Sequence, residues 1–231
     1  MTEEQWLACQ EPAAMLSVLQ DRACDRCLRL FACACCRRLW PLLSDPRSQK
    51  AVEVAEGLAD ELPCGMGLHD AWEQAILVPA RLRNPAKKLA AEAAAEAVWG
   101  MSLSVSPKSP GQIAAEMAAE YSAKAAEAAS AGSGDDEREY QADLLRDLFG
   151  PLPFREVHID PAWLTSAVKA AASAAYERRV MPLGALAPRL LAELADALRA
   201  AGCGEEAMLS HLQEPLHVRG CHVVDLLLSK G

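Results

Sequence analysis

Apolar residues along this chain recur mostly at spacings of three and four, the period of an amphipathic helix. Between residues 21 and 43, Cys24, Leu28, Phe31, Cys35 and Leu39 follow at intervals of four, three, four and four. That stripe predicts one long helix, capped by Asp21 and closed by Pro41 and the Asp45-Pro46 pair. Ahead of it, Trp6 and Leu7 pair with Met15, Leu16 and Leu19 after Pro12. Pro46 opens a further helix through Ala51, Val54, Ala55 and Leu58, which stops near Pro63-Cys64-Gly65. A shorter helix is expected over Asp70 to Val78. Residues 85–99 and 111–131 read as alanine-rich helices joined by a Ser/Pro/Gly loop.

Beyond them, Gly132-Ser133-Gly134-Asp135-Asp136 has the composition of a linker. Leu144, Leu145 and Leu148 share one face of a helix predicted from Glu139 to Phe149, and Phe154 to Ile159 reads as an extended crossing. Asp160-Pro161 is a helix-start signal, leading through Trp163, Leu164, Val168 and Tyr176. Further helices are expected from Leu186 to Ala201, with Gly202 as the stop, and from Glu205 to Leu212. Cys221 to Leu228 reads as a helix or a strand. No repeat of 20–50 residues is evident. The pattern predicts an all-α fold, an irregular multi-helix bundle with an alanine-rich middle. Its regions are a cysteine-rich helical part (1–100), a loop, alanine-rich helix and linker (101–135), and a C-terminal helical part (136–231), packed as one unit.

Composition sharpens this picture. The 231 residues are 52% hydrophobic but only 5% aromatic, and the surplus of alanine favours helix over strand. The net charge of −9 argues against nucleic-acid binding through overall electrostatics. The charge is uneven, however: residues 21–50 carry seven Lys/Arg against three Asp/Glu, and residues 51–150 carry eight against seventeen. Long uncharged apolar stretches are missing, which excludes a membrane span, and the acidic start Met1-Thr2-Glu3-Glu4 does not read as a signal peptide. The expected location is the cytoplasm.

Nine cysteines, an odd number without an export signal, speak for reduced thiols rather than a disulfide framework. Cys24, Cys27, Cys33, Cys35 and Cys36 fall within thirteen residues. They read either as small apolar packing groups or as a zinc site on Cys24, Cys27 and Cys35, or as a redox Cys24-x-x-Cys27 pair. A single straight helix cannot wrap four ligands around an ion, so such a zinc site needs help from Cys9, Cys64 or His69. A second group, His211, His217, Cys221 and His222 with Asp225 close behind, offers zinc ligands in His217, Cys221 and His222, or a thiol nucleophile with a histidine base. Its plain reading is a turn before a buried terminal element, with His211 at a helix C-terminus. Arg22, Arg26 and Arg29 lie on one helix face, extended by Arg37 and Arg38. That face suits phosphate contacts, or internal pairing with Glu53, Glu56, Asp60, Glu92 and Glu96. Phosphate loops, nucleophile elbows, HExxH and EF-hand patterns are missing.

Five segments are distinctive as strings: Leu28–Arg38 (LRLFACACCRR), Ala51–Glu56, Leu144–Gly150, Asp160–Thr165 (DPAWLT) and His217–Leu228 (HVRGCHVVDLLL). Together they resemble a family of uncharacterised proteins found in many copies in planctomycete genomes. The similarity covers roughly residues 1–60 and 140–231. It implies a lineage-restricted cytoplasmic protein and carries no activity with it. Cys24 and Cys27 stand where the family pattern has serine and lysine, and His222 where it has tryptophan. A metal site built on those three would be particular to this chain. The sequence therefore points to a non-enzymatic helical interaction module, with its alanine-rich helices presented to a protein partner or a second copy. A zinc- or thiol-dependent protein and a nucleic-acid contact through the arginine face are the alternatives.

Overall fold

The computed structural model describes residues 1–20, 22–61, 67–99, 108–129, 134–151 and 154–230. It is all-α apart from one small hairpin. The helices are α1 (Glu3–Ala8), α2 (Pro12–Leu19), α3 (Asp25–Arg38), α4 (Pro46–Ala59), α5 (Leu68–Ala75), α6 (Pro85–Val98), α7 (Pro110–Ala129) and α8 (Gly134–Phe149), followed by α9 (Ser166–Glu177), α10 (Pro188–Ala200), α11 (Glu206–His211) and α12 (His222–Leu228). The strands β1 (Arg179–Val180) and β2 (Ala185–Leu186) pair antiparallel. None of the described helices is long and apolar enough to cross a membrane. Contacts divide the chain into two compact units, Met1–Leu145 and Arg146–Gly231.

Helix starts follow local chemistry. Prolines at the first turn open α4, α6 and α10, with Asp45 and Asn84 capping the first two through their side chains. Two starts differ from expectation. Position 21 lies outside the described residues, and α3 begins instead after Cys24, whose sulfur accepts the Cys27 N–H. Asp160-Pro161 makes only a 3-10 turn, Pro161–Trp163; the helix restarts at Ser166, where the Thr165 hydroxyl accepts the Val168 N–H. The suggested linker ends early, since Gly134, Asp135 and Asp136 form the first turn of α8. The rest of that linker, with the loop through 101–107 and Cys64, lies outside the described residues.

In the first unit, α3 packs on α4, α6 and α7, and α6 packs along α7. The alanines do not form a shallow outer surface. Ala90, Ala93, Ala94, Ala97, Ala114, Ala118 and Ala125 are all fully buried, in one core with Ala32, Cys33, Cys36, Val52 and Ala55. Small side chains let these helix axes approach closely, so dispersion contacts replace the bulk that leucines would supply. Gly111 shows how near the approach is. A methyl group there would lie 2.9 Å from the Asp25 Cα and backbone oxygen, so α7 begins directly against the start of α3.

Buried polar groups tie the helices of this unit together. Gln112 donates to the Leu16 carbonyl, and Gln141 donates to the Ala119 carbonyl and the Ser122 hydroxyl. Glu137 on α8 accepts a 3.3 Å bond from Arg38. Burial pushes the Glu137 carboxyl up to about 7, outweighing the lowering pull of Arg38 and Gln141. An acid raised on folding favours the fold below its unfolded pKa, and that contribution is lost as pH rises through the folded value. Glu137→Gln should therefore be more stable than the parent by on the order of 2 kcal/mol at about pH 8 and indistinguishable at about pH 4, which urea denaturation at the two pH values checks.

The second unit has its own core. Val168, Ala172 and Tyr176 of α9 meet Leu190, Leu191, Leu194 and Leu198 of α10, with Val223, Val224 and Leu227 of α12. The hairpin extends this unit: Leu186 donates its N–H to the His217 carbonyl at 2.8 Å, and Ala185 bridges Val218. That short pairing fixes the backbone at His217. The last apolar stretch is helix α12 rather than a strand.

Candidate metal centre

Four side chains of the second unit converge on one point. Asp147 sits in the last turn of α8, His211 ends α11, His217 lies in the bridge to the hairpin, and Cys221 is the N-cap of α12. Their ligand atoms all lie within 4.8 Å of one another, and all four residues are buried. His217 Nδ1 is 2.7 Å from Asp147 Oδ1, and His211 Nε2 is 3.3 Å from the same oxygen. Cys221 Sγ lies 3.4 Å from His211 Nε2 and 3.6 Å from His217 Nδ1. Among the described residues this is the one group of three or more His, Cys, Asp or Glu side chains so arranged.

Outer contacts orient each member. Asp147 turns its second oxygen to the Val218 N–H at 2.8 Å, so the carboxylate is held by the same segment that presents His217. His211 directs Nδ1 to the Glu214 carboxylate at 3.1 Å, leaving Nε2 to face the cluster. Such a carboxylate behind a histidine fixes the ring and makes its other nitrogen a better donor to a cation. His217 Nε2 is buried without a hydrogen-bond partner, so this ring is held through Nδ1 alone.

The electrostatics favour positive charge at the centre. Burial opposes the charged forms, but hydrogen bonds to Asp147 and Cys221 outweigh it and push His211 up to about 12 and His217 up to about 10. Burial likewise opposes the Asp147 carboxylate, yet the two imidazoles hold its carboxyl well below the usual range. Protons or a metal ion can answer that demand for positive charge.

His222 has another place. Its Nδ1 donates to the Asp147 backbone carbonyl at 2.9 Å, and its ring packs 4.3 Å from that of His211. Burial, and then the charge of His211, push His222 down to about 4, so the ring stays neutral. Gly150 makes room for it: φ is +48° there, and a methyl group would come 2.5 Å from His222 Nε2. Of the three expected ligands in this segment, the structure brings together His217 and Cys221, and sets His222 behind them as packing. His211 and Asp147 complete the group. Asp147 carries one sequence signal: beside Arg146 it interrupts the apolar Leu144, Leu145, Leu148 and Phe149, and an acid buried with them requires a partner.

The remaining expected site residues lie in the first unit. Cys24 and Cys27 adjoin at the start of α3, with their sulfurs 2.9 Å apart. Cys35 lies eleven residues along the helix, about 16 Å from Cys24, and is fully buried. Burial raises its thiol, and those of Cys33 and Cys36, well above the usual range. These three are packing groups. His69 stacks on Trp72 and pairs with Glu73.

The arginines are directed inward for the most part. Arg26 pairs with Asp60 at 3.0 Å and Arg37 with Glu56 at 2.7 Å. Arg29 is buried and donates to the Ala97 and Trp99 carbonyls. Arg38 bonds Glu137 and lies over the Tyr140 ring. Arg22 is exposed ahead of α3.

Fold and cluster thus define an all-α protein whose second unit gathers two histidines, a cysteine and an aspartate in a buried group. Comparison with family models, curated proteins and solved structures finds no match for the chain.

Proposed function

We propose that this chain is a non-enzymatic helical module whose C-terminal unit is stapled by one zinc ion held by Asp147, His211, His217 and Cys221. The observation that carries this reading is the convergence of four buried ligand atoms, within 4.8 Å, from Asp147 and from the segment that carries His211, His217 and Cys221. A tetrahedral zinc with bonds of about 2.0–2.3 Å sets its ligand atoms about 3.3–3.8 Å apart. Separations of 3.3, 3.4 and 3.6 Å within the group already match, the 2.7 Å hydrogen bond between His217 and Asp147 opens by about 0.6 Å, and the group's full spread of 4.8 Å closes by about 1 Å.

Charge and donor chemistry agree. One carboxylate and one thiolate with two neutral imidazoles balance a divalent ion, so the loaded site is neutral and suited to burial. Nitrogen, sulfur and a single oxygen favour zinc over magnesium or calcium, which take oxygen ligands. Four protein ligands leave no open position for water or substrate, which supports a structural role over a hydrolytic one. Protein purified under reducing conditions and dialysed against buffered zinc is expected to retain one zinc per chain by elemental analysis, and Cys221→Ser to retain little. A folded parent protein that keeps no stoichiometric metal contradicts the proposal.

A further inference from the structure

The start of α3 carries thiol chemistry in the first unit, independent of the zinc reading. Cys24 is the N-cap of a 14-residue helix and Cys27 lies in its first turn. Their sulfurs are 2.9 Å apart, and the Cys27 N–H donates to Cys24 Sγ at 3.3 Å. A disulfide bond is about 2.05 Å long, so closing this pair needs an approach of only about 0.9 Å. Residues three apart on a helix also fall within the Cα separation that a disulfide spans. Closure therefore requires no unwinding of α3.

Accessibility divides the two roles. Cys24 is exposed and Cys27 half-buried, whereas Cys33, Cys35, Cys36, Cys203 and Cys221 are buried. An exposed sulfur accepting a backbone N–H at the head of a long helix is placed to react as thiolate, because the helix end favours negative charge there. The half-buried sulfur in contact with it is placed to act second. Two cysteines in sulfur contact, one open to solvent, are the elements of a thiol–disulfide exchange site.

We propose that Cys24 and Cys27 form a redox-active dithiol that exchanges with low-molecular-weight disulfides, Cys24 attacking and Cys27 resolving. The Cys24 thiolate, its proton released to solvent, attacks one sulfur of the disulfide. A Cys24–S bond forms, the substrate S–S bond breaks, and one thiolate leaves. Cys27 then gives up its proton and attacks Cys24 Sγ, forming the Cys24–Cys27 bond and expelling the second thiolate. Two protein thiols are oxidised and one disulfide is reduced to two thiols, with no metal or further oxidant required.

The test uses the full chain, reduced, in buffers of varied glutathione to glutathione-disulfide ratio, with acid quenching, alkylation and peptide mass mapping. The expected product has lost two hydrogens, with the new bond between Cys24 and Cys27 and the buried cysteines unmodified. Cys27→Ser should accumulate a stable mixed disulfide on Cys24, and Cys24→Ser should lose the fast reaction. Zinc content measured in the same samples should stay constant through the oxidation, because Cys221 takes no part; a failure of either proposal is thereby read separately. A persistent glutathione adduct on Cys24 of the parent protein, a bond mapped to another cysteine pair, or full reduction in excess oxidant would each overturn the proposal.

Discussion

Removing zinc from the reduced protein is expected to lower the melting temperature of the Arg146–Gly231 unit by about 20 °C. An ion that binds only the folded state at about a thousand times its dissociation constant contributes about 4 kcal/mol, and each kcal/mol moves the midpoint of a unit this size by about 5 °C. The effect is large because the ligands come from distant points. Asp147 is separated from His211, His217 and Cys221 by more than sixty residues, so a bound ion would close a long loop that the unfolded chain leaves open. The unit also has an apolar core of its own, built from α9, α10 and α12, so loss of metal should weaken it rather than prevent folding altogether. Calorimetry in metal-buffered solutions, with and without chelator, measures the shift. Asp147→Asn should melt near the chelated protein and respond little to zinc. His222→Asn, which keeps a donor toward the Asp147 carbonyl, should still bind the ion. Equal melting of the loaded and chelated parent would show that no staple exists.

The second large effect belongs to the first unit. Arg37 is 2% exposed, donates to both oxygens of Glu56 at 3.0 and 2.7 Å, and lies 4.3 Å from the Trp40 ring centre. Removing one member of such a pair leaves a charge without its main partner in the interior. Arg37→Ala is therefore expected to cost about 3–5 kcal/mol, and Glu56→Ala a similar amount. Replacing both, as Arg37→Met with Glu56→Leu, should recover most of that loss, because the desolvation cost of the pair disappears with the pair. Urea denaturation of Arg37→Met, of Glu56→Leu and of the double variant that combines them gives the coupling directly. Additive losses in the double variant would show that packing, not charge, explains the sensitivity.

The arginine pattern was legible as a helix face, and two of its expected acidic partners, Asp60 and Glu56, pair with Arg26 and Arg37, while the carbonyl partners of Arg29 were not legible. Spacing alone put Arg22, Arg26 and Arg29 together; only the packing of α4 and α6 on α3 brings Asp60 and the Ala97 and Trp99 carbonyls to Arg26 and Arg29. Helix positions were legible where proline follows a capping side chain, as at Asp45-Pro46; Asn84-Pro85 is a second such start. They were less so at Asp160-Pro161, where the same signal makes one 3-10 turn and Thr165 supplies the real cap. The alanine-rich helices suggested a surface presented to a partner, because a single alanine buries little area. Burial of almost every alanine on the inner faces of α6 and α7 restores that area by number.

Half of the candidate metal group could be read from sequence, since His217 and Cys221 lie four residues apart. The choice of His211 over His222 could not, because it depends on which ring faces the Asp147 carboxylate and which its carbonyl. Asp147 itself is distant in sequence, and only the apolar residues on either side of the Arg146-Asp147 pair mark it. Among the five clustered cysteines, helical phase sets Cys33 and Cys36 apart but groups Cys24 with Cys35, which is buried while Cys24 is exposed, and the approach of the Cys24 and Cys27 sulfurs required the cap geometry.

X-ray absorption at the zinc edge of the reduced, zinc-loaded protein tests the central claim most directly. The account predicts one sulfur at about 2.3 Å and three nitrogen or oxygen neighbours at about 2.0–2.2 Å, with two imidazoles among them. A shell of three or four sulfurs would contradict it and move the ion to the N-terminal cysteines, and a shell without sulfur would remove Cys221 from the site.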